Sequence, residues 1–154
     1  MLNISSVRRG FVTLANMFEK HFTLEEAVGL LPTVKQALCS AHQELDKLRD
    51  ELILLKRVTL QKQKSGRKLL ADEESAFEEK RMAFEATFKT WAERFIRRGI
   101  MVRDLERGLI DFPYLSADDE EFMLCWHEGE DGIFYFHEIG SGYSGRKPIS
   151  LLPA

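Results

Sequence analysis

The sequence predicts an α+β fold in which a long antiparallel helical hairpin precedes a small antiparallel sheet. Two observations lead to this prediction. Apolar residues recur every three or four positions from Val34 to Phe95, with one break, which is the repeat of a helix face. After Gly99 the pattern changes to short alternating runs separated by polar turns, which is typical of strands.

The length and composition favour a single domain. The chain has 154 residues, of which 44% are hydrophobic and 31% charged, enough for one core but short of two domains. We predict an N-terminal arm at residues 1–21 and one α+β domain at residues 22–154. Within it, residues 22–98 form the hairpin, and residues 100–154 form the sheet and a C-terminal loop. Met17 stands just before the first helix signal and is an alternative natural start.

The first helix is predicted to begin at Leu24, because Thr23 and Glu26 have the spacing of a capping box. Pro32 interrupts the pattern, and we expect a kink or a restart of the helix there. Beyond it, apolar residues alternate in steps of four and three, as in a coiled-coil seam: Val34, Leu38, Ala41, Leu45, Leu48, Leu52 and Leu55.

The second helix follows the break KSGRK at residues 64–68 and is predicted to end at Gly99. Folding the chain at this break places Trp91 opposite Ala41, so that a large ring faces a small residue. Helices of about 30 residues are about 45 Å long, so the tip of the hairpin should project into solvent. The predicted inward face comprises Leu70, Phe77, Phe84, Phe88, Trp91 and Phe95.

Four strands are predicted, at residues 100–105, 109–112, 121–126 and 133–138. Their short connections favour an antiparallel meander, since parallel strands need long crossovers. The remaining C-terminal residues are predicted to form a loop with at most one edge segment.

Four motifs occur in a fixed order: FTLEEAVGLLP (22–32), RDLERGLIDFP (103–113), LCWHEGE (124–130) and FHEIGSGYSGRKP (136–148). In these motifs the chain resembles a bacterial family that is known only as a domain of unknown function. The resemblance implies the fold and a bacterial origin, and it implies no particular chemistry.

Alternation along the strands predicts which side chains share a face of the sheet. If Ile110, Phe112, Leu124, Trp126, Phe134 and Phe136 face the helices, then Asp111, Cys125, Tyr135 and His137 lie on the other face. Three of these form a candidate catalytic site, in which His137 activates the Cys125 thiol and Asp111 orients the imidazole. In the alternative interpretation, Cys125 packs as a small hydrophobic residue and His137 bonds to its neighbours.

The same groups form a candidate zinc site, made by Cys125, His137 and either Asp111 or His127. Cysteine and histidine at positions 125 and 127 lack the spacing of a zinc knuckle, and the sequence contains no second cysteine pair. Apart from zinc, no cofactor is expected.

A glycine-rich loop follows the last predicted strand. Gly140, Gly142 and Gly145 have the spacing GxGxxG, but too few residues remain for a dinucleotide-binding fold. The loop can instead bind an anion through the backbone at Gly142 and Gly145 and through Arg146 and Lys147. The alternative is a turn in which Arg146 pairs with an acidic loop.

Charge and hydropathy argue against nucleic acid and membranes as partners. The net charge of −3 gives no reason to expect nucleic acid, and the basic hairpin tip, residues 57–68, lacks aromatic residues that stack on bases. No apolar run approaches the roughly 20 residues of a membrane span, and the first residues lack a signal-peptide pattern, so we expect a cytoplasmic protein. Cys39 and Cys125 are expected to be free thiols.

The sequence favours an interaction or regulatory module over an enzyme. The second sheet face also carries Leu109, Met123 and Ile133 and is too apolar to face water. We predict that a homodimer covers it, with the N-terminal arm and the C-terminal tail as alternatives, and that the hairpin offers a surface to a protein partner. The alternative function is a small enzyme or metal-binding protein that uses the aspartate, cysteine and histidine.

Overall fold

The fold begins with a helical hairpin. The computed structural model describes residues 16–154, so most of the predicted N-terminal arm, residues 1–15, lies outside the described residues. Helix α1 (Leu24–Lys64) and helix α2 (Ala71–Ile96) run antiparallel and form the predicted hairpin.

The start of α1 is the predicted capping box. The Glu26 backbone N–H donates to Thr23 Oγ1 at 3.1 Å, and the Thr23 N–H donates to the Glu26 carboxylate at 2.9 Å. The expected restart at Pro32 is wrong, because α1 is one continuous helix. Pro32 and Val28 both lie on the exposed side, where water can hydrate the carbonyl that the proline leaves without a donor.

The buried side of α1 has the predicted spacing, whereas that of α2 differs. Ala27, Leu31, Val34, Leu38, Ala41 and Leu45 are buried, and the later seam positions are only partly buried because the hairpin extends beyond the sheet. On α2, Leu70 is the N-cap and is exposed, and Phe88 is 38% exposed. Both were predicted to face inward. Thr87 occupies the inward position instead, since the helical repeat leads from Phe84 through Thr87 to Trp91.

A single antiparallel sheet follows the hairpin, as predicted, but it has five strands rather than four. In the sheet they are ordered as in the chain: β1 (Met101–Asp104), β2 (Leu109–Leu115), β3 (Glu121–His127), β4 (Tyr135–Glu138) and β5 (Lys147–Pro148). The fifth strand is the short edge segment that the sequence allowed after the glycine-rich loop.

The helices cover one face of the sheet, which we call the inner face. The core there contains Ile110, Phe112, Leu124, Trp126 and Phe136, packed with the buried residues of the hairpin. Phe134 was predicted to join them but is 51% exposed, and Ile133 takes its place in the core. The reason is that β4 begins only at Tyr135, so the bend before it breaks the alternation of faces.

Both chain ends of the described region are attached to the sheet. The Phe22 N–H donates to the Pro113 carbonyl at 2.7 Å. At the other end, the Tyr114 hydroxyl donates to the Pro153 carbonyl at 2.8 Å, and Leu152 packs against the core. Within residues 16–154, no helix is both long and apolar enough to cross a membrane.

The core packing predicts that substitutions of two leucines change the free energy of unfolding by very different amounts. Leu38 is fully buried under the sheet, so Leu38→Ala should lower the free energy of unfolding by about 2–5 kcal/mol through lost burial and a residual cavity. The control Leu151→Ala removes a side chain that is 65% exposed and should change it by less than about 0.5 kcal/mol. Urea unfolding followed by circular dichroism measures both. Equal effects of the two substitutions would contradict the described core.

Candidate functional site

Three polar side chains meet on the face of the sheet opposite the helices, which we call the outer face. They are Asp111 on β2, Cys125 on β3 and His137 on β4, and all three are buried. One ligand atom from each lies within 4.8 Å of the other two. We call these three residues the outer-face cluster. The structure therefore brings together the three residues that the sequence predicted as one site.

The strand register explains how three strands supply one cluster. Asp111 pairs directly with Cys125 across β2 and β3, and His137 pairs with Met123, two residues along β3 from Cys125. Strands β2 and β4 are separated by β3, yet His137 Nε2 lies 3.0 Å from Asp111 Oδ2. The contact spans about two strand spacings of 4.8 Å each, and a small side chain at Cys125 leaves room for it.

The hydrogen bonds of His137 define its tautomer. Nδ1 lies 2.8 Å from the backbone carbonyl of Glu138, and a carbonyl can only accept, so Nδ1 carries a proton. Nε2 therefore points at Asp111 either with a second proton, as an imidazolium, or with a lone pair. This is the orientation of a histidine that binds a metal through Nε2.

The two carboxylate oxygens of Asp111 have different surroundings. Arg103 Nε donates to Asp111 Oδ2 at 2.7 Å, and His137 approaches the same oxygen. Among residues 16–154 the other carboxylate oxygen, Oδ1, is buried without a hydrogen-bond partner. The Cys125 thiol and the His137 imidazole lie beside this carboxylate.

Arg103 reaches Asp111 from the neighbouring strand β1. Its neighbour Val102 pairs with Ile110 and packs against the inner core, so alternation places Arg103 on the outer face. The register of β1 against β2 shifts at Arg103, since Val102 pairs with Ile110 and Asp104 with Leu109. The four strands β1 to β4 thus each contribute one residue to the site.

The electrostatics of the cluster favour a charged pair beside a neutral thiol. Burial raises the pKa of Asp111, but hydrogen bonds from His137 and Arg103 outweigh burial and hold that pKa below its usual value. Burial lowers the pKa of His137, but the bonds to Asp111 and to the Glu138 carbonyl outweigh it and raise that pKa. Burial and then the Asp111 carboxylate raise the pKa of the Cys125 thiol to about 12.

Other predicted site residues lie outside the cluster. His127 packs edge-on against Tyr143, with ring centroids 5.7 Å apart, and is not one of the three clustered residues. Arg146 donates to both carboxylate oxygens of Glu130 at 2.6 and 2.7 Å, and Lys147 Nζ lies 2.6 Å from Glu138. The two cations of the predicted anion loop are thus paired with carboxylates.

The two glycines of that loop have structural roles. Gly142 has φ of +61°, a conformation that favours glycine, and a Cβ on Gly145 would lie 2.5 Å from the Ser141 side chain. The resulting turn carries Arg146 back over the sheet, where its guanidinium stacks 4.1 Å from the Tyr135 ring and 4.8 Å from the Tyr143 ring. This is the alternative in which the loop is a turn closed by an arginine and an acidic residue.

Sequence reasoning missed Arg103 and Glu130. Alternation from Val102 places Arg103 on the outer face, but the sequence does not specify how β1 pairs with β2, which is what brings Arg103 beside Asp111. A charged residue inside the apolar run IMVRDL was the available signal. Glu130 looked like one of several solvated acidic residues in a turn, whereas it accepts bonds from Arg146 and from the His127 N–H.

The apolar side chains of the outer face are less exposed than predicted. Leu109 and Met123 are buried in the single chain, and Ile133 belongs to the inner core rather than to this face. Tyr135 remains 37% exposed. The burial of Leu109 and Met123 weakens the reason for expecting a second copy on this face.

The fold and the cluster belong to a region shared with other proteins. A family model described as uncharacterized conserved protein (DUF2203) matches residues 20–149. The chain belongs to this family. The matched region includes both helices and the whole outer-face cluster, and it confirms the resemblance to a family of unknown function. The chain matches no curated protein and no solved structure.

The pair of His137 and Asp111 predicts a loss of stability at alkaline pH. Since the folded pKa of His137 is raised, its contribution is complete below about pH 6.5 and is lost as the pH rises through the folded value. Metal-free wild type should therefore lose stability from neutral to alkaline pH, and His137→Gln should lose less. Urea unfolding in the presence of a chelator at several pH values measures this.

The matched control is His127→Gln, which removes a histidine outside the cluster and keeps His137. It should show the same decline with pH as the wild type. If the free energies of unfolding of His137→Gln and of the wild type declined in parallel with pH, the charged pair would make no contribution to stability in this pH range.

Proposed function

We propose that the protein binds a divalent transition metal at Asp111, Cys125 and His137. The types of the three ligand residues favour zinc. The observation that carries the proposal is the convergence of a carboxylate, a thiol and an imidazole from three strands, with ligand atoms within 4.8 Å of one another. All three side chains are buried. Cysteine, histidine and aspartate are the residue types that bind zinc in proteins.

The distances fit a site that contracts on binding. Zinc bonds of about 2.0–2.3 Å in a tetrahedron place ligand atoms about 3.3–3.8 Å apart. Ligand atoms within 4.8 Å need side-chain shifts of about an ångström to reach that geometry, without a change in strand register. The orphaned Oδ1 of Asp111 is the carboxylate oxygen that is available to bind the metal.

The groups around the cluster orient its ligands. The Glu138 carbonyl holds the Nδ1 proton of His137, which directs the Nε2 lone pair into the cluster once Nε2 is deprotonated. Arg103 holds Oδ2 of Asp111 and leaves Oδ1 to the metal. Such partners of metal ligands typically raise metal affinity by about 10–100-fold.

The same geometry favours metal binding over a nucleophilic cysteine. A catalytic thiolate needs a base or a positive charge that lowers its pKa. Here burial and Asp111 raise the pKa of Cys125 to about 12, and both ring nitrogens of His137 are engaged by Glu138 and Asp111. A bound metal can deprotonate the thiol directly because it stabilises the thiolate as a ligand.

Three protein ligands leave one tetrahedral position for water or for an atom of a ligand. Zinc sites that keep such a position are typical of catalysis, whereas structural sites have four protein ligands. The proposal therefore includes the small-enzyme alternative, with the metal rather than the thiol as its reactive centre. The proposal requires Cys125 to be reduced, because only a thiol or thiolate can bind the metal.

Metal binding by the cluster is tested with Co²⁺ and Zn²⁺ on purified full-length protein. We expect one metal per chain and a charge-transfer absorption from the Cys125 thiolate to Co²⁺. Binding at neutral pH should release about two protons, one from the Cys125 thiol and one from His137 Nε2. Calorimetry in buffers of different ionisation enthalpy measures this release.

The variants Asp111→Asn, Cys125→Ser and His137→Gln each remove one ligand with little change in shape. Loss of a group that only hydrogen-bonds to a metal ligand costs about 10–100-fold in affinity, so loss of a ligand itself should weaken binding by roughly a hundredfold or more. The matched control Cys39→Ser removes the exposed second cysteine and should bind as wild type does. Unchanged affinity in all three variants, or charge-transfer absorption lost in Cys39→Ser, would refute the proposed site.

A second candidate function is self-association through the hairpin. The part of the hairpin beyond the sheet, residues 46–83, is here called the hairpin arm. Its first helix exposes large apolar side chains on the side away from the seam: Ile53, Leu54, Val58 and Leu60. Contiguous exposed apolar side chains favour a partner, and a second arm of the same coiled-coil pattern is the simplest one.

Substitution of the exposed apolar side chains of the hairpin arm tests this second function. Leu54→Lys together with Val58→Lys should convert a dimer into a monomer, because two buried charges would oppose association. Light scattering coupled to size exclusion measures the mass, and Leu151→Lys, an equally exposed leucine outside the arm, is the control. A wild-type protein that is monomeric at high concentration would exclude the dimer.

A further inference from the structure

A cleft lies between the two helices at the end of the hairpin nearest the sheet. It has a volume of about 460 Å³, and its apolar lining comes from Ala37 on α1 and from the exposed edges of Trp91 and Phe95 on α2, which are 7% and 4% exposed. The helices pack against the inner face of the sheet, so this cleft and the outer-face cluster lie on opposite sides of it. The volume is within the range of about 300–1,000 Å³ that is typical of small-molecule sites.

The one side-chain N–H group in the apolar wall, that of the Trp91 indole, already has a hydrogen-bond partner in the protein. Trp91 Nε1 donates to the Glu44 carboxylate at 3.0 Å, so the indole needs no hydrogen bond from a ligand. Ala37 is small and lines the cleft on the side of α1. The opposite wall bears the uncharged polar side chains of Thr33 and Ser40.

The rim of the cleft is strongly positive. Arg94, Arg97 and Arg98 line it, and no carboxylate of the described chain is among the lining residues. Arg97 has one distant partner, Glu93, at 4.0 Å, whereas Arg94 and Arg98 form no ion pair with any residue from 16 to 154. The Arg94 guanidinium stacks 4.3 Å from the Trp91 ring, which places a positive charge directly above the apolar wall.

A simpler explanation accounts for only part of this arrangement. Cations near the C-terminal end of a helix interact favourably with its dipole, and the three arginines lie in or just beyond the last turns of α2. The dipole does not explain why the same turns border a cleft with an indole and a phenyl ring in its wall. A cleft with an apolar lining next to unpaired guanidinium groups is complementary to an amphiphilic anion.

We propose that this cleft binds a small amphiphilic carboxylate. The hydrocarbon part lies along Ala37 and the exposed edges of Trp91 and Phe95, and the carboxylate pairs with Arg94 and Arg98. Arginine suits this role because its planar fork binds a carboxylate through two parallel hydrogen bonds. The site is independent of metal binding, since none of its lining residues contacts the outer-face cluster.

The test compares three probes with the same ten-carbon chain: decanoate, 1-decanol and decyltrimethylammonium. Calorimetry on metal-free, full-length protein should show saturable binding of one decanoate per chain, with 1-decanol bound more weakly and the cation not bound. Tryptophan fluorescence should change on decanoate addition, because Trp91 lines the cleft. Equal binding of all three probes, or no binding of decanoate, would overturn the proposal.

Two variants separate the head-group contact from the apolar wall. Arg94→Gln with Arg98→Gln should weaken decanoate binding by roughly tenfold or more, since charged hydrogen bonds are lost, and should leave decanol binding unchanged. Ala37→Phe fills the cleft and should abolish binding of both. The control Arg57→Gln with Lys89→Gln removes the same net charge outside the cleft and should bind as wild type does. Equal loss in this control would show a general charge effect and refute the site.

Discussion

The packing of α1 against the inner face of the sheet is the contact on which the rest of the structure depends. The apolar seam of α1 is covered by alternate residues of β2, β3 and β4, among them Phe112, Leu124 and Phe136. Because neighbouring residues of a strand face opposite sides, this contact assigns the residues between them to the outer face. A shift of one residue in any of these strands would bury Asp111, Cys125 or His137 among the helices, where nothing could pair with them.

The outer-face cluster has an energetic cost that packing alone does not explain. A buried ion pair contributes little net stability, because removing both charges from water offsets most of their attraction. Apolar side chains of similar size would stabilise this part of the sheet at least as well. Asp111 and His137 are nevertheless paired, with Arg103 beside them and one carboxylate oxygen left bare. The metal binding proposed above gives a reason for this arrangement that stability does not, and in the metal-free protein the same surroundings keep the Cys125 thiol protonated.

Sequence reasoning succeeded where a regular repeat extends over several turns or strands. The steps of four and three in α1 identified its buried side, and alternation placed Asp111, Cys125 and His137 together. It failed where the repeat is interrupted. Phe134 and Ile133 exchange roles because a bend precedes β4, and the register of β1 against β2 shifts at Arg103. Periodicity cannot locate such local irregularities, since they depend on contacts between strands that are distant in the chain.

The sequence by itself determined the class of the fold, the start of the first helix and the common face of Asp111, Cys125 and His137, because these depend on local spacing and on solvation. Only the tertiary structure decided how close Asp111 and His137 come across β3, which carboxylate oxygen remains free and which partner Arg146 takes. It also decided that Trp91, Arg94 and Arg98 surround a cleft. These properties depend on distances of a few ångströms between separate elements, and strand register and the packing of two helices set those distances.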